Sequence, residues 1–419
     1  MKKLKPLVWL SGILLVVSMF AIVACQTGSS ASSSTSAQSS ASASSSQSVA
    51  KPEPNKNGII TADQWAATYP DVYESYQMNI ENSKNENYLE EAPWLKVIYK
   101  GSGFGNDYKS ARSHLFTLTD VAATARPHAA ANCLTCKSPE FTAMVNAQGV
   151  GMYSKEFGEI YGMVTESVSC YNCHENTGDQ QVITHEYLKN ALGADVDKVD
   201  PKTAVCGQCH NEYYFNPETK AVTLPWVGLS NMNPDAMLAY YNDIWFVDYK
   251  HAISGTDIIK VQHPEMETVL GSGSKIVNNM GFSCADCHMA VATNDAGEEY
   301  ASHYFMSPLK NADLVKNTCN VSGCHVNVVA QATDNQNKVL KREEEVGKKL
   351  ADLHEKTGAA AEAGKTDDEL KEVRDLIRDA QFYWDFVRVE NSYGAHNSTL
   401  AMELLNKADR LIDQALAKL

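Results

Sequence analysis

The sequence predicts a mainly α-helical protein with few short strands and long C-terminal helices. Three observations lead to this prediction: ten cysteines are paired through the middle of the chain, none follows residue 324, and apolar residues recur at helical spacing near the end. The chain has 419 residues and is 44% hydrophobic, which is typical of a globular protein. Its formal charge of −15 argues against nucleic-acid binding, which needs clustered Lys and Arg.

The N-terminus has the features of a bacterial lipoprotein signal. Residues 1–24 contain early lysines and a short apolar run that ends in Ile-Val-Ala, directly before Cys25. This arrangement resembles a lipobox, in which Cys25 receives lipid and becomes the mature N-terminus. Residues 25–56 are rich in Ser and Ala and are predicted to be a flexible tether. An uncleaved anchor is the alternative, and both interpretations place the body outside the cytoplasm, at the periplasmic or extracellular face of the cell membrane.

The other ten cysteines form five pairs, and four pairs are followed directly by histidine. The pairs are Cys133/Cys136, Cys170/Cys173, Cys206/Cys209, Cys284/Cys287 and Cys319/Cys324, and the histidines are His174, His210, His288 and His325. C-x-x-C-H is the attachment signature of c-type haem, because two thiols one turn apart form thioethers and the next side chain reaches the iron. We therefore predict five covalently bound haem c groups within residues 57–328, with porphyrin filling much of the core.

Zinc ribbons and disulfides also use C-x-x-C pairs. Neither accounts for the histidines, because 12 histidines in 419 residues would fall at four chosen positions by chance about once in a million sequences. The fifth pair has four intervening residues instead of two, so it is weaker evidence by itself.

The first pair is followed by Lys137 where the other pairs have histidine. A lysine ligates iron only as the neutral amine, so burial and the charge of the iron must favour that form. If Lys137 binds, the opposite face of the iron is open to substrate. The alternative is a histidine from elsewhere on this iron and an exposed Lys137. The histidine-followed sites are predicted to be six-coordinate electron relays, provided that distal histidines exist.

One C-x-x-C-K motif followed by four C-H motifs resembles the pentahaem cytochrome c nitrite reductases. The resemblance extends from about residue 65 to the C-terminus and is most specific in segments 113–121, 209–215 and 260–265. It implies a multihaem cytochrome c fold that reduces nitrite to ammonium with six electrons and also acts on nitric oxide and hydroxylamine. It further implies a homodimer, and a membrane quinol-oxidising multihaem cytochrome or a soluble protein as electron donor.

The resemblance also assigns the pocket above the lysine-ligated haem. Arg126 would bind the anionic substrate, His263 would deliver protons, and Tyr213 would donate or orient a hydrogen bond. Arg112 is a weaker substitute for Arg126. For each residue taken singly, a surface ion pair or core packing is the alternative.

A calcium ion beside this haem is implied as well. Its ligands would be the carboxylate of Glu212, the backbone carbonyls of Tyr213 and Lys260, and the amide oxygen of Gln262. All are hard oxygen donors, as calcium requires. The ion would add positive potential that attracts nitrite to an acidic protein.

Distal haem ligands follow from the resemblance for three sites: His303 for the second, His114 for the third and His396 for the fourth. The fifth lacks its expected histidine, and Met280, a remote histidine such as His251, or an open position are the alternatives. The unassigned histidines are predicted to be solvent-exposed. They are His128, His185, His251 and His354.

Residues 329–419 are predicted to form long helices within the same folded unit. A charged stretch over 341–356 is followed by the capping box at Thr366 and Glu369 and by a final helix with one apolar side. These apolar faces either contribute to a dimer or are satisfied within one chain.

Two other functional classes stay open. One is a non-enzymatic electron conduit, which requires every iron to be six-coordinate. The other is an enzyme that acts on sulfite or oxidises hydroxylamine.

Overall fold

Short helices and single turns alternate with loops from residue 50 to about residue 320 in the computed structural model, which describes residues 50–128, 130–272 and 280–419. The predicted signal, Cys25 and nearly all of the tether lie outside the described residues. Val49–Leu419 cluster as one unit. The predicted fold class, mainly α with few short strands, is confirmed. No described helix is both long and apolar enough to cross a membrane.

The helices differ greatly in length, from single turns to 35 residues. The α-helices are α1 (Ala62–Trp65), α2 (Pro70–Gln77), α3 (Tyr88–Glu91), α4 (Leu95–Ile98), α5 (Thr117–Ala123), α6 (Pro139–Gln148), α7 (Phe157–Tyr161), α8 (Cys170–His174), α9 (Glu186–Leu192), α10 (Pro201–Gly207), α11 (Pro234–Asp243), α12 (Cys284–His288), α13 (Ala312–Leu314), α14 (Val328–Glu362), α15 (Asp367–Val389) and α16 (Ser398–Leu416). The 3₁₀ turns are Met78–Glu81, Gly103–Gly105, His114–Phe116, Ala131–Leu134, Val150–Ser154, Gly193–Lys198, Leu229–Asn231 and Pro308–Lys310, and the π turns are Glu267–Gly271 and Val315–Cys319.

Described strands occur as three small antiparallel ribbons. They pair β1 (Tyr214–Phe215) with β2 (Val222–Thr223), β3 (Tyr249–Lys250) with β4 (Asp257–Ile258), and β5 (Val291–Thr293) with β6 (Glu299–Ala301). Tyr214 lies opposite Thr223, and Ala292 opposite Tyr300. Two-stranded ribbons cannot enclose a core, so the helices and loops must do so.

The cysteine motifs lie on helical turns. Two of them, with their histidines, are the whole of α8 and α12, and the lysine motif begins within the 3₁₀ turn Ala131–Leu134. Ser283 caps α12 by accepting a hydrogen bond from Asp286 N at 3.3 Å, and the Asp286 carboxylate accepts from Ser283 N at 2.7 Å. A helical turn places residues i and i+3 on one face, so both sulfur atoms face the same side.

The three C-terminal helices pack against one another. The predicted capping box is confirmed, with Thr366 N donating to Glu369 Oε2 at 2.8 Å and Glu369 N to Thr366 Oγ1 at 3.3 Å. Helix α14 begins 13 residues before the predicted start and ends six residues after the predicted end. Residues 331–338 are mostly polar and exposed, so they show no apolar period that predicts a helix.

The apolar sides of this bundle are packed within the chain. Val346 and Leu350 of α14, Trp384 of α15 and Leu405 of α16 are fully buried in one cluster. Ion pairs at the edges join α14 to α16, among them one from Lys349 to Asp409 and Asp413 at 2.5 and 2.6 Å. Packing within the described chain therefore buries most of the apolar helix faces that, from the sequence, could have contributed to a dimer.

Candidate active site

The cysteine motifs lie next to one another in the fold. The thiols of Cys136 and Cys209 lie near enough to shift each other's pKa, and so do those of Cys206 and Cys284. Burial raises the pKa of the Cys287 thiol, and the nearby Cys319 adds to this. The first, third, fourth and fifth motifs therefore form a continuous row. None of the ten described cysteines is in a disulfide. The described residues also contain no cluster of three His, Cys, Asp or Glu side chains suited to a metal ion, as a zinc ribbon would require.

Three pairs of histidine rings have the spacing expected for ligands on opposite faces of one iron. With a metal–nitrogen distance of about 2 Å on each side, the two ring centres would be about 6.4 Å apart. The observed distances between ring centres are 6.1, 6.5 and 6.0 Å; the pairs are His174–His303, His210–His114 and His288–His396. The structure thus brings together each attachment histidine and the distal histidine that the resemblance assigns to it.

Several of these rings are oriented by an oxygen atom at Nδ1. Nδ1 faces an oxygen in four of them: Gln180 O for His174, Met306 O for His288, Ala301 O for His303 and Glu390 Oε1 for His396, at 3.0, 3.1, 3.0 and 2.6 Å. A proton held on Nδ1 leaves the Nε2 lone pair for a metal. The donor chemistry of these residues therefore fits haem iron.

His210 has two histidine neighbours at similar distances. His114 lies 6.5 Å from it and His263 6.4 Å, measured between ring centres. Burial lowers the pKa of His114 to about 3 and that of His263 to about 4, so both rings are neutral. The ring spacing by itself is consistent with either His114 or His263 as the ligand opposite His210. The assignment of His114 to the third haem rests on the resemblance.

The fifth motif is the most exposed. His325 and Cys324 are both exposed, and His325 Nδ1 lies 2.8 Å from Gln331 Oε1. Within the described part of the chain, no second histidine ring contacts His325. Met280 is 57% exposed, and residues 273–279 before it lie outside the described ranges. Met280 and an open position both stay predictions for this site.

The prediction that the four unassigned histidines are exposed is wrong for three of them. His185, His251 and His354 are 3%, 1% and 0% exposed. His251 and His354 stack with ring centres 3.7 Å apart, and His251 Nε2 is 2.7 Å from Val97 O. Because Nε2 of His251 is engaged there, the structure gives no support to His251 as a ligand of the fifth haem. His128 is half-buried and stacks on Phe157 at 4.3 Å.

Lys137 is half-buried, and its amine has no partner. Lys137 Nζ makes no hydrogen bond or ion pair with any described residue. The backbone is held in place, since Thr117 Oγ1 donates to Lys137 O at 3.0 Å. Its charge acts on nearby groups and contributes to the lowered pKa of both His114 and His263. An inward lysine without a carboxylate beside it is available as a metal ligand.

Arg126 lies over the same motif. Its charge opposes the burial that raises the pKa of Cys133. Its Nε donates to Thr124 Oγ1 at 3.1 Å, and Thr124 Oγ1 in turn donates to the buried Asp107 at 2.8 Å. The terminal nitrogens of Arg126 make no hydrogen bond with the described residues, which leaves them for a ligand.

Arg112 is already occupied elsewhere. Its guanidinium forms an ion pair with Asp120, with Nε 3.0 Å from Asp120 Oδ2, and stacks over the Phe116 ring at 3.9 Å. The structure therefore gives no support to Arg112 as a substitute for Arg126.

Tyr213 and His263 complete the group around the lysine motif. Burial raises the pKa of Tyr213 well above its usual range, the Cys136 and Cys133 thiols add to this, and Arg126 opposes it. His263 Nδ1 is buried and has no hydrogen-bond partner among the described residues. The structure thus brings a cation, a phenol and a neutral imidazole together at the one motif that carries lysine.

Phe104 is a further member of this site that sequence reasoning missed. Its ring lies between Arg126, whose guanidinium carbon is 4.5 Å from the ring centre, and Lys260, whose Nζ is 4.8 Å from it. Lys260 Nζ is held by Asp385 at 2.9 Å. The flanking glycines explain the close packing, since a Cβ on Gly105 would lie 2.5 Å from Tyr99 O. The Gly-Phe-Gly sequence at residues 103–105 was the available signal for this position, although it does not identify the side chains that the Phe104 ring contacts.

A cavity of about 330 Å³ lies beside Arg126, bounded by the loop that carries Phe104. Its lining includes Lys96, Lys100 and Pro127. Neither lysine forms an ion pair with a described residue. The opening is therefore positively charged in a chain whose net charge is −15.

The expected calcium donors also lie together. Glu212 is fully buried, and its two carboxylate oxygens accept from Gln262 N at 2.6 Å and from the Tyr241 hydroxyl at 2.8 Å. Gln262 Nε2 is 2.9 Å from Lys260 O, and a half-turn of that amide would place its oxygen there instead. Burial raises the pKa of Glu212 well above its usual range. This donor set fits a calcium ion.

Fold and site together define a multihaem c-type cytochrome. The family model for cytochrome c552 matches residues 61–419, so the chain belongs to that family. It is 31% identical over 384 residues to cytochrome c-552 of Parabacteroides distasonis, covering 85% of this chain and 76% of that protein. It is 33% identical over 346 residues to cytochrome c-552 of Bacteroides fragilis, covering 76% and 68%.

A solved structure shares the fold. The catalytic subunit of cytochrome c nitrite reductase from Desulfovibrio desulfuricans, described with two calcium sites, matches with a TM-score of 0.78 and 25% identity over 86% of each chain. The resemblance to the cytochrome c nitrite reductases inferred from the motifs is thereby confirmed.

Proposed function

We propose that this protein reduces nitrite to ammonium at the haem attached through Cys133 and Cys136, with Lys137 as the ligand of its iron. The observation that carries the proposal is the half-buried Lys137 amine, which has no partner among the described residues and shares one site with Arg126, Tyr213 and His263. The similar Desulfovibrio protein, which is a nitrite reductase, supports the same reaction.

Each pocket residue has a defined task in this proposal. Nitrite, six electrons and eight protons give ammonium and two waters, so the site must bind an anion and deliver many protons. A haem attached through Cys133 and Cys136 would supply an iron that can bind a small anion and accept electrons. Arg126 binds the anion through its free terminal nitrogens and offsets its charge. His263, neutral and unpartnered at Nδ1, carries protons, and Tyr213 donates its hydroxyl proton in a hydrogen bond that orients an oxygen of the substrate.

We propose four further haems as electron relays, which makes five in all. The continuous row of cysteine motifs supports this proposal, because neighbouring groups provide a short route for electrons. The paired histidine rings support six-coordinate iron at the second, third and fourth haems. Six-coordinate iron has no free position for substrate, so these haems would only transfer electrons.

Calcium beside the active haem is part of the same proposal. Glu212, Gln262 and the carbonyls of Tyr213 and Lys260 would hold it. Its charge would compensate the buried Glu212 carboxylate and add to the positive potential that Arg126 provides for an incoming anion.

The remaining proposals concern placement and partners. The lysines, apolar run and Cys25 at the N-terminus support export and a lipid anchor on the outer face of the cell membrane. From there a quinol-oxidising multihaem cytochrome of the membrane would supply electrons. A homodimer, and activity on nitric oxide and hydroxylamine, follow from the resemblance.

The decisive experiment measures ammonium formed from nitrite by the haem-loaded protein with a reduced viologen dye, together with iron per chain. We expect ammonium as the main product and five irons per chain. No ammonium, together with an oxidised protein that lacks any high-spin ferric signal in electron paramagnetic resonance, would instead identify an electron conduit. A parallel assay with sulfite separates a sulfite reductase.

A further inference from the structure

One haem-site histidine has a carboxylate within hydrogen-bond distance where the others have uncharged partners. His396 Nδ1 lies 2.6 Å from Glu390 Oε1. Opposite it, His288 Nδ1 faces the backbone oxygen of Met306 at 3.1 Å. The partners of His174, His303 and His325 are likewise neutral oxygens, from two backbone carbonyls and an amide side chain. His210 also has a carboxylate nearby, but Glu265 Oε1 is 3.9 Å from its Nδ1, beyond hydrogen-bond distance.

The carboxylate of Glu390 is held in place. Glu390 directly follows α15 and is 4% exposed. Ser392 Oγ donates to Glu390 Oε2 at 2.6 Å and accepts from His396 N at 3.0 Å. The turn between them requires Gly394, whose φ is +85° and where a Cβ would lie 2.7 Å from a methyl group of Val339. The turn from 390 to 396 therefore fixes both the carboxylate and the imidazole.

We propose that Glu390 tunes the haem attached through Cys284 and Cys287 by accepting the Nδ1 proton of His396 in a charged hydrogen bond. This bond gives the imidazole anionic character and makes it a stronger donor to iron. A more anionic ligand stabilises ferric over ferrous iron, so the reduction potential of this haem is lowered relative to a haem with two carbonyl-bonded histidines. Glu390 is a positioning and tuning residue, since it acts only through His396.

The consequence for the electron relay is a lowered reduction potential at the fourth haem. Its motif lies near the third motif, where Cys206 and Cys284 shift each other's pKa, and near the fifth, where Cys319 adds to the raised pKa of Cys287. A haem of lowered potential between them gives up its electron readily to either neighbour. Electrons would therefore pass through this position without accumulating there.

The test is a potentiometric titration of the haem-loaded protein without nitrite, followed by electron paramagnetic resonance, for the parent and Glu390→Gln. Glutamine keeps the size and an acceptor oxygen but removes the charge. We expect the midpoint potential of one transition to rise by about 59 mV or more. For one electron this is a change of about tenfold or more in the ratio of oxidised to reduced haem at a fixed potential. All transitions unchanged, or all moved equally, would overturn the inference.

Two further variants keep the test decisive if Glu390→Gln loses iron. Ser392→Ala frees the carboxylate from its second anchor and should raise the same single transition by a smaller amount. Gln331→Glu places a carboxylate on the exposed His325, where folding is not at risk, and should lower a different transition. Absence of either shift contradicts the inference. It rests on the proposed haem ligands, but not on nitrite reduction, so a failed activity assay leaves it standing.

Discussion

Removal of the Arg126 guanidinium should weaken nitrite binding without removing the haem. The guanidinium is held at Nε by Thr124 and along its face by Phe104, while its terminal nitrogens have no described partner. These nitrogens are therefore positioned for an anion before the anion arrives, so little ordering is needed on binding.

The expected size follows from the lost charged hydrogen bond. Such a bond contributes about 1.5–3 kcal/mol, which corresponds to a weakening of roughly 10- to 150-fold in nitrite affinity for Arg126→Ala. Arg126→Lys keeps the charge but loses the planar fork, and we expect an intermediate affinity. The stacking on Phe104 adds about 0.5–2 kcal/mol to the positioning of Arg126, so Phe104→Leu should raise the KM for nitrite more than it lowers kcat.

The assay is nitrite titration of the oxidised protein followed by haem absorption, with KM for nitrite as a second measure. Arg112→Ala is the matched control, because Arg112 is committed to Asp120 and lies outside the pocket. Its nitrite affinity should equal that of the parent. The reasoning is refuted if Arg126→Ala binds nitrite as tightly as the parent, or if both arginine variants weaken binding equally.

Three further predictions concern the lysine ligand, the calcium donors and the buried histidine pair. Lys137→His should keep five irons per chain but lose most nitrite turnover, and unchanged turnover would remove the lysine from the mechanism. Chelation of calcium should raise the KM for nitrite in the parent. In Glu212→Gln, whose calcium site is already impaired, chelation should change the KM little. An equal rise in both proteins would contradict the proposed ligands. Burial lowers the pKa of His251 to about 4, whereas its value in the unfolded chain is near 6.5. Between these values the unfolded chain binds a proton at His251 that the folded chain does not, so the free energy of unfolding decreases as pH falls from 6.5 to 4. The loss in the free energy of unfolding, measured with urea, should approach about 3 kcal/mol. In His251→Gln the free energy of unfolding should depend less steeply on pH between 4 and 6.5. A pH dependence equal to the parent's would show that His251 does not contribute.

Local chemistry made the attachment sites and several helix features predictable. Two thiols at i and i+3 with a ligand at i+4 are a property of one helical turn, so Cys284, Cys287 and His288 could be recognised without knowledge of the fold. The capping box at Thr366 is likewise a contact between residues three apart. Lys137 stood out for the same reason, because it occupies a position that the neighbouring motifs define.

Contacts between distant residues were predictable only through the resemblance, or not at all. His303 reaches the ring of His174 across 129 residues of chain, and no local pattern encodes that distance. The choice between Arg112 and Arg126 depended on Asp120, which neutralises one arginine and leaves the other free.

The sequence by itself determined where haem attachment is predicted, because thioether formation and the first iron ligand depend on neighbours within a single turn. Only the tertiary structure decided which cation faces the lysine motif, which histidines lie opposite one another, and that His251 and His354 are stacked in the interior. The physical reason is that burial and pairing are set by the packing of segments far apart in the chain. A side chain's own identity gives its chemistry, whereas its partner, exposure and charge state are set by the surrounding fold.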